Sequence, residues 1–336
     1  MDCSCGRRHF LIGAGAAGLF AGTAHAAGKP RRIDVHHHVT PPGWLEAVKR
    51  VKLDNPPMAL WTPEKSLDDM DKAGITTSLV SPTTPQVGFL PPADAARVAR
   101  ESNEWATKLA KDHPGRFGVF AMLPMPNVTE TLKEIEYAFD TLKVDGIGMM
   151  TDYGDKWLGY EEFAPVWEEL NRRKAIVYTH PTGANCCVNL VRGVPEATVE
   201  YGADTTRTIA NLIFSGTSAK YPNINWIFSH GGGVLSSVAE RFRIQMVNTP
   251  PYKGKFTKET VDKELKRFYY DTAQVSNEVT IKAMANLVGV SQIVFGTDYP
   301  YRTGAEHVSG LKQRFTAAEL AAIDSGNVLK ILRKGF

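Results

Sequence analysis

The chain has 336 residues, 43% of them hydrophobic and 22% charged, with a formal net charge of +3. That is enough for a sizeable core, and one large α/β domain accounts for the length as well as two small ones would. The charge is spread thinly, which excludes a nucleic-acid-binding stripe, and past the N-terminus no apolar run approaches the roughly 20 residues of a membrane span.

The first residues read as a targeting segment. Arg7-Arg8 is followed by a Gly/Ala-rich apolar stretch from Leu11 to about Gly22, and Ala24-His25-Ala26 has the small-x-small form of a cleavage site. Residues 1–26 are therefore expected to be a twin-arginine signal peptide. The mature protein would be periplasmic and free of the membrane. Cys3 and Cys5 leave with the signal. Cys186 and Cys187 are adjacent, a spacing that rarely meets disulfide geometry, and read as packed or pocket-lining thiols, with metal ligation as the alternative.

Ile33-Asp34-Val35-His36-His37-His38 reads as a strand end. Residues two apart on a strand share a face, so His36 and His38 aim together and His37 points away. Thr40 to Gly43 is a turn. Trp44 to Pro63, broken by Pro56-Pro57, reads as a small lid. Glu64–Ala73 is a helix closed by Gly74. A strand over Thr76–Val80, a helix over Pro92–Asp112 and a strand over Phe117–Leu123 follow. Thr129–Leu142 is a helix capped by Thr129 or Asn127. The pattern continues with a strand at Gly146–Met150, a helix at Tyr160–Arg173 and a strand at Ala175–Thr179 that ends at His180. Asp204–Ser218 is a helix, and Asn225–Ser229 is a strand that ends at His230, followed by Gly231-Gly232-Gly233. Then come helices at Leu235–Met246 and Val275–Leu287 around a short strand, Phe268–Asp271. The strand Gln292–Gly296 leads to Asp298, and Thr316–Leu332 is a helical tail.

Eight strands alternating with helices imply parallel pairing and fit a (β/α)8 TIM barrel over residues 27–336, a single domain with small insertions and a C-terminal helical tail. The alternative is an open doubly wound sheet, but no Gly-rich nucleotide fingerprint follows any strand. In a barrel, His36, His38, His180, His230 and Asp298 all end strands on one face. Neutral imidazoles and a carboxylate converging there can hold a divalent metal.

This pattern resembles the metal-dependent amidohydrolase superfamily, and most closely the branch of aminocarboxymuconate-semialdehyde, γ-resorcylate and methylsalicylate decarboxylases. The segments that carry the resemblance are Ile33–His38, Ser229–Gly233, Phe295–Pro300, Phe163-Ala164-Pro165-Val166-Trp167 with Glu169-Leu170, and Asp204-Thr205-Thr206-Arg207. The resemblance implies one divalent metal on His36, His38, His180 and Asp298, zinc by expectation, with manganese or cobalt as alternatives. It makes His230 the unligated acid/base and gives Asp298 a part in proton transfer to the ring carbon. The two-metal members carry a modified lysine at the end of strand 4; Gly146 to Thr151 contains none, so one metal is expected. A homodimer is the family expectation.

Arg207 is a candidate for receiving a substrate carboxylate, with a structural salt bridge to Asp204 or a neighbour as the equal alternative. Trp61 and Tyr153, with Trp44, Phe89, Trp157 and Tyr299, are candidates for an aromatic wall, with ordinary packing as the alternative for most of them. Arg241 and Arg243 are left open as arginines lent to a partner subunit. The expected function is non-oxidative decarboxylation of a hydroxylated aromatic or muconate-type acid, with a small carboxylate as the partner molecule. The alternative is a metal-hydroxide hydrolase of a lactone, ester, amide or activated C–C bond, which the same residues would serve. A binding protein with a vestigial site is a third reading, and the intact five-residue set argues against it.

Overall fold

The structure, a computed structural model, describes Met1 and residues 31–333; the segment read as a signal peptide, with Cys3 and Cys5, lies outside the described residues. Eight strands are present: β1 (Ile33–His38), β2 (Thr77–Ser81), β3 (Phe117–Met122), β4 (Gly146–Met150), β5 (Ile176–His180), β6 (Asn225–Phe228), β7 (Tyr269–Asp271) and β8 (Ile293–Val294). They pair in chain order, every pair parallel. β8 is only two residues long, and the backbone beyond it completes the ring. Val35 N–H donates to Phe295 O at 2.9 Å, Asp298 N–H to His36 O at 2.8 Å, and His38 N–H to Tyr299 O at 2.7 Å. This is the (β/α)8 barrel expected from the alternation.

The helices are α1 (Pro42–Arg50), α2 (Pro56–Ala59), α3 (Pro63–Ala73), α4 (Pro92–Asp112), α5 (Val128–Tyr137), α6 (Ala164–Arg172), α7 (Glu196–Phe214), α8 (Thr217–Lys220), α9 (Leu235–Arg241), α10 (Lys258–Leu265), α11 (Glu278–Val288), α12 (Gly304–Lys312), α13 (Ala317–Ala321) and α14 (Asn327–Leu329). Three differences from the sequence reading have clear causes. Pro56-Pro57 starts a helix instead of breaking one, because proline is tolerated in the first turn and Asn55 caps it by accepting from Met58 N–H. α7 begins eight residues before the expected Asp204, directly after Pro195. α5 runs into a π-helical turn, Ala138–Leu142, after capping by Asn127, whose side chain accepts from Glu130 N–H.

The core has two layers. Outward side chains such as Val80, Ala121, Ile147, Val177 and Phe228 pack against the helices. Inward ones, including Ile33, Val35, Leu79, Phe120, Ile176, Tyr178, Ile227 and Val294, fill the barrel. Val328 of α14, with Ile331 and Leu332, joins this inner cluster and forms its floor. Arg32, just before β1, grips Asp324 with a bidentate pair at 2.8 and 2.9 Å, tying the start of the barrel to its tail.

β1 has a feature that the sequence pattern does not reveal. Asp34 lies opposite Ser78 and His37 opposite Val80, so Val35 and His36 together face the single residue Leu79. This is a β-bulge, which inserts an extra residue and reverses the alternation beyond it. Ile33 and Val35 fill the barrel, and unbroken alternation would have sent His37 inward. Across the bulge His36 and His38 point inward instead. Asp34 Oδ1 accepts the His36 N–H at 2.9 Å.

Candidate active site

The catalytic face is assembled from the ends of five strands. β1 supplies His36 and His38, β5 His180, β6 His230, β7 Asp271, and the turn after β8 Asp298. Backbone room is made where it is needed. A Cβ on Gly296 would lie 2.9 Å from Asp271 Cβ and 3.0 Å from His36 Cβ, so only glycine lets these two approach. Gly233, at φ +70°, passes so close to Gly202 that a Cβ would meet its carbonyl oxygen at 2.0 Å.

His36, His38, His180 and Asp298 are buried, and each offers one ligand atom; these atoms all lie within 4.8 Å of one another. Every imidazole is oriented by its second nitrogen. His36 Nδ1 is 2.7 Å from Asp271 Oδ2, His38 Nδ1 is 3.2 Å from Ser81 O, and His180 Nδ1 is 2.9 Å from Pro181 O. Each Nδ1 therefore carries the hydrogen, and each Nε2 turns a lone pair to the centre. His36 Nε2 and His38 Nε2 are 3.1 Å apart, and both are 3.1 Å from Asp298 Oδ1. Lone pairs that close repel unless a positive charge lies among them.

The electrostatics state the same demand. Burial holds His38 below the usual imidazole range; burial, reinforced by the neighbouring imidazoles, holds His180 well below it. Burial also opposes charge on His36, but Asp271 and Asp298 outweigh it and push His36 up to about 10. Burial would raise Asp298, yet the charge of His36 and the close imidazoles of His230, His36 and His38 hold it well below the carboxylate range. Three nitrogens and one carboxylate oxygen around a site that calls for a cation fit a divalent metal, with coordination positions left for substrate.

Beside the cluster, His230 Nε2 lies 3.3 Å from Asp298 Oδ2. His230 has φ +51°, and its N–H donates to Asp271 Oδ1 at 2.8 Å. A non-glycine residue in that region costs about 1–3 kcal/mol and persists only where its surroundings hold it. Asp271 thus orients His36 with one oxygen and His230 with the other. A cavity of about 430 Å³ opens onto His180, His230 and Asp298. Its polar wall is made of hydroxyls and amides: Thr83, Thr84, Tyr201, Tyr301, Asn55 and Gln274. Burial pushes both tyrosine hydroxyls up, Tyr201 to about 12, so both stay protonated at neutral pH.

The amidohydrolase family description matches residues 33–334. The chain belongs to that family. The amidohydrolase is 37% identical to the decarboxylase yanB of Aspergillus niger over 289 residues, covering 80% of this chain and 77% of that one. It is 34% identical to the 6-methylsalicylic acid decarboxylase acuB of Aspergillus aculeatus over 314 residues, covering 90% and 94%. A solved dihydroxybenzoic acid decarboxylase from Polaromonas sp. JS666, with bound manganese and the inhibitor 2-nitroresorcinol, has the same fold at a TM-score of 0.78 and 21% identity, covering 89% of this chain and 96% of that one.

The expected substrate contacts lie elsewhere in this amidohydrolase. Arg207 does not line the metal cavity. Its guanidinium faces Glu200 at 3.6 Å, Asp204 at 3.8 Å and Cys187 Sγ at 3.7 Å, beside an outer groove with Trp157 and Tyr252. The early start of α7 accounts for this: Tyr201, six residues before Arg207, takes the cavity-facing place. Trp61 is packed edge-on against Trp105 and donates to Ser66 Oγ, away from the cavity. Tyr153 is buried, its hydroxyl accepting from Met150 N–H, and lines a separate cavity with Phe89. Trp44 is fully buried and Tyr299 stacks on His37. Arg243 is paired with Asp262 at 2.5 Å. The Cys186 and Cys187 thiols lie 3.1 Å apart, outside the ligand cluster. Asp271, Gln274, Tyr201 and Tyr301 were not singled out from sequence. Asp271 could have been, since it ends a strand as the other ligand-bearing residues do.

Proposed function

We infer that this chain is a metal-dependent, non-oxidative decarboxylase of hydroxylated aromatic acids of the 6-methylsalicylate kind. The observation that carries this is the buried His36/His38/His180/Asp298 cluster, with His230 on the cavity wall beside it, in a chain more than one-third identical to proteins named as decarboxylases. Those relatives also decide between lyase and hydrolase in favour of the lyase.

The reaction exchanges a ring carboxylate for hydrogen. The ring carbon gains a proton, the C–C bond breaks, its electron pair stays with the ring, and carbon dioxide leaves. His36, His38, His180 and Asp298 would hold a divalent cation, which would supply Lewis acidity toward the acid substrate. The chain's own groups supply the proton and the orientation. His230 Nε2 and Asp298 Oδ2 form the pair that holds the proton on the cavity side, and imidazole is suited to moving it near neutral pH. Tyr201, Tyr301, Thr83 and Asn55 offer hydrogen bonds to an anionic, oxygen-bearing ring in place of an arginine. With three imidazoles and one carboxylate, zinc is the proposed metal, and manganese suits the same donors.

A homodimer is proposed as well. It is supported by exposed apolar side chains, Val188, Leu190, Val191 and Val199, clustered from the β5–α7 connection into the start of α7, and sedimentation of the purified chain tests it. Export by the twin-arginine route remains the proposal for residues 1–26, and fractionation of expressing cells tests it.

The activity test is carbon dioxide release across a panel of ortho-hydroxy aromatic acids by zinc- or manganese-loaded protein, with a metal-stripped control. Metal-dependent release from 6-methylsalicylate or a close analogue is the expected result. Silence across the panel, with turnover of lactones or aryl esters, would overturn the lyase reading.

A further inference from the structure

Three loops at the strand ends each place a non-glycine residue in the left-handed region: His230 at φ +51°, Gln274 at φ +57° and Asp298 at φ +65°. Their side chains meet at one atom. Gln274 Nε2 donates to Asp298 Oδ2, and His230 Nε2 lies 3.3 Å from the same oxygen. The other oxygen, Oδ1, faces His36 and His38.

We propose that Gln274 is a positioning residue that holds the Asp298 carboxylate with Oδ1 turned to the three histidines and Oδ2 turned to His230. The proposal rests on the metal-dependent decarboxylase reading above.

The backbone is built to hold Gln274 in place. Its N–H donates to His307 Nε2 at 2.9 Å, and His307 Nδ1 sits 2.8 Å from Thr303 O. His307 is buried, and these two contacts define one neutral tautomer, with the hydrogen on Nδ1 and an acceptor at Nε2. One residue earlier, Ala273 N–H donates to Asp271 Oδ1 at 3.1 Å, so the loop is anchored to the same aspartate that orients His36 and His230.

The chemistry of the side chain suits the role. A carboxamide is neutral at any working pH. It donates to Oδ2 without competing for the proton that His230 and Asp298 exchange, as an amine or imidazole in its place would. A ligating carboxylate whose second oxygen has no fixed partner can turn between one-oxygen and two-oxygen binding. A donor on Oδ2 removes that freedom and keeps Oδ2 available to His230. Because Nε2 faces the carboxylate, Oε1 is turned away from it.

The test uses the full chain and two variants. Gln274→Met keeps the length of the side chain and removes the donor. Gln274→Glu keeps the shape and sets a second carboxylate against Oδ2. Manganese affinity is measured by calorimetry, the metal-free melting midpoint by scanning, and kcat and KM by carbon dioxide release. For Gln274→Met the expected result is an unchanged midpoint, about tenfold weaker manganese binding, and a lowered kcat with an unchanged KM. Gln274→Glu should bind manganese more weakly still. Parental manganese affinity and kcat in Gln274→Met would overturn the proposal. A raised KM at unchanged kcat would also overturn it, by making Gln274 a substrate contact. If the parent binds manganese but releases no carbon dioxide, the decarboxylase reading fails, and the manganese titrations of the variants still decide the role of Gln274.

Discussion

Two faces of one short strand use the same residue type for opposite ends. His36 and His38 point into the barrel and present lone pairs to a common centre. His37, between them, points the other way: Nδ1 is 3.1 Å from Asp34 Oδ2 and Nε2 is 2.9 Å from Ser66 Oγ. Asp34, His37 and Ser66 thus stand in the order of a hydrolytic triad, yet Ser66 is fully buried and its hydroxyl also accepts from Trp61 Nε1. No substrate reaches it. The comparison teaches that chemistry follows access and convergence: one face meets a cavity and two further ligands, His180 and Asp298, and the other is sealed beneath α3.

The largest expected effect is on the inward face. His36→Ala or Asp298→Ala is expected to abolish metal retention, as read by elemental analysis, and His37→Ala to keep the metal. Equal loss in all three would break the comparison. Next, His230→Ala is expected to retain its metal and lose at least about 100-fold in turnover. Activity near the parent's would remove His230 from proton transfer. Asp271→Asn sharpens the same contrast from behind, since it disturbs the hydrogen bonds to both His36 and His230. Metal affinity should weaken about tenfold or more, and calorimetric titration reads it directly.

On the sealed face, His37→Ala should cost about 1–3 kcal/mol of unfolding free energy in denaturant, because it leaves buried groups of Asp34 and Ser66 short of a partner. The smallest effect concerns Asp152, past the end of β4 and away from the ligands. Burial, and then the charge of Asp204, push its carboxyl up to about 7. A carboxyl raised in the fold binds its proton more tightly there than in the unfolded chain. Its stabilising contribution is complete below the ordinary aspartate range, about 4, and is lost as pH rises toward 7. Asp152→Asn should therefore gain in melting midpoint relative to the parent between pH 5 and pH 8. A difference that does not change with pH would refute this.

Much of the architecture was legible because alternating strand and helix patterns are strong in this chain, and because each metal ligand follows a recognisable apolar strand. His180 after Ile176–Thr179 and Asp298 after Val294–Gly296 are both of this kind. The bulge was not legible. His36 and His38 were paired correctly by spacing, but nothing in Ile-Asp-Val-His-His-His says that the alternation reverses between Asp34 and His37. Arg207 could be read from sequence as a substrate contact or as a partner of Asp204, and the structure has it beside Asp204 and Glu200; α7 begins at Glu196, and Tyr201 of that helix lines the cavity. Gln274 has no signal of its own, since its role depends on a left-handed backbone fixed by His307, more than thirty residues further along the chain.

The floor and the metal cluster share a property that concerns synthesis as much as structure. Val328 and the Arg32–Asp324 pair close the bottom of the barrel, while His38 and Asp298, 260 positions apart, meet at its top. A chain emerging from the ribosome holds His36 and His38 long before their carboxylate partner, 260 residues later, has been made. Metal capture by the full cluster therefore waits for the turn after β8, and a growing chain that ends before β8 lacks the carboxylate of the set. The four-ligand set exists only once the first and last strands of the barrel have met.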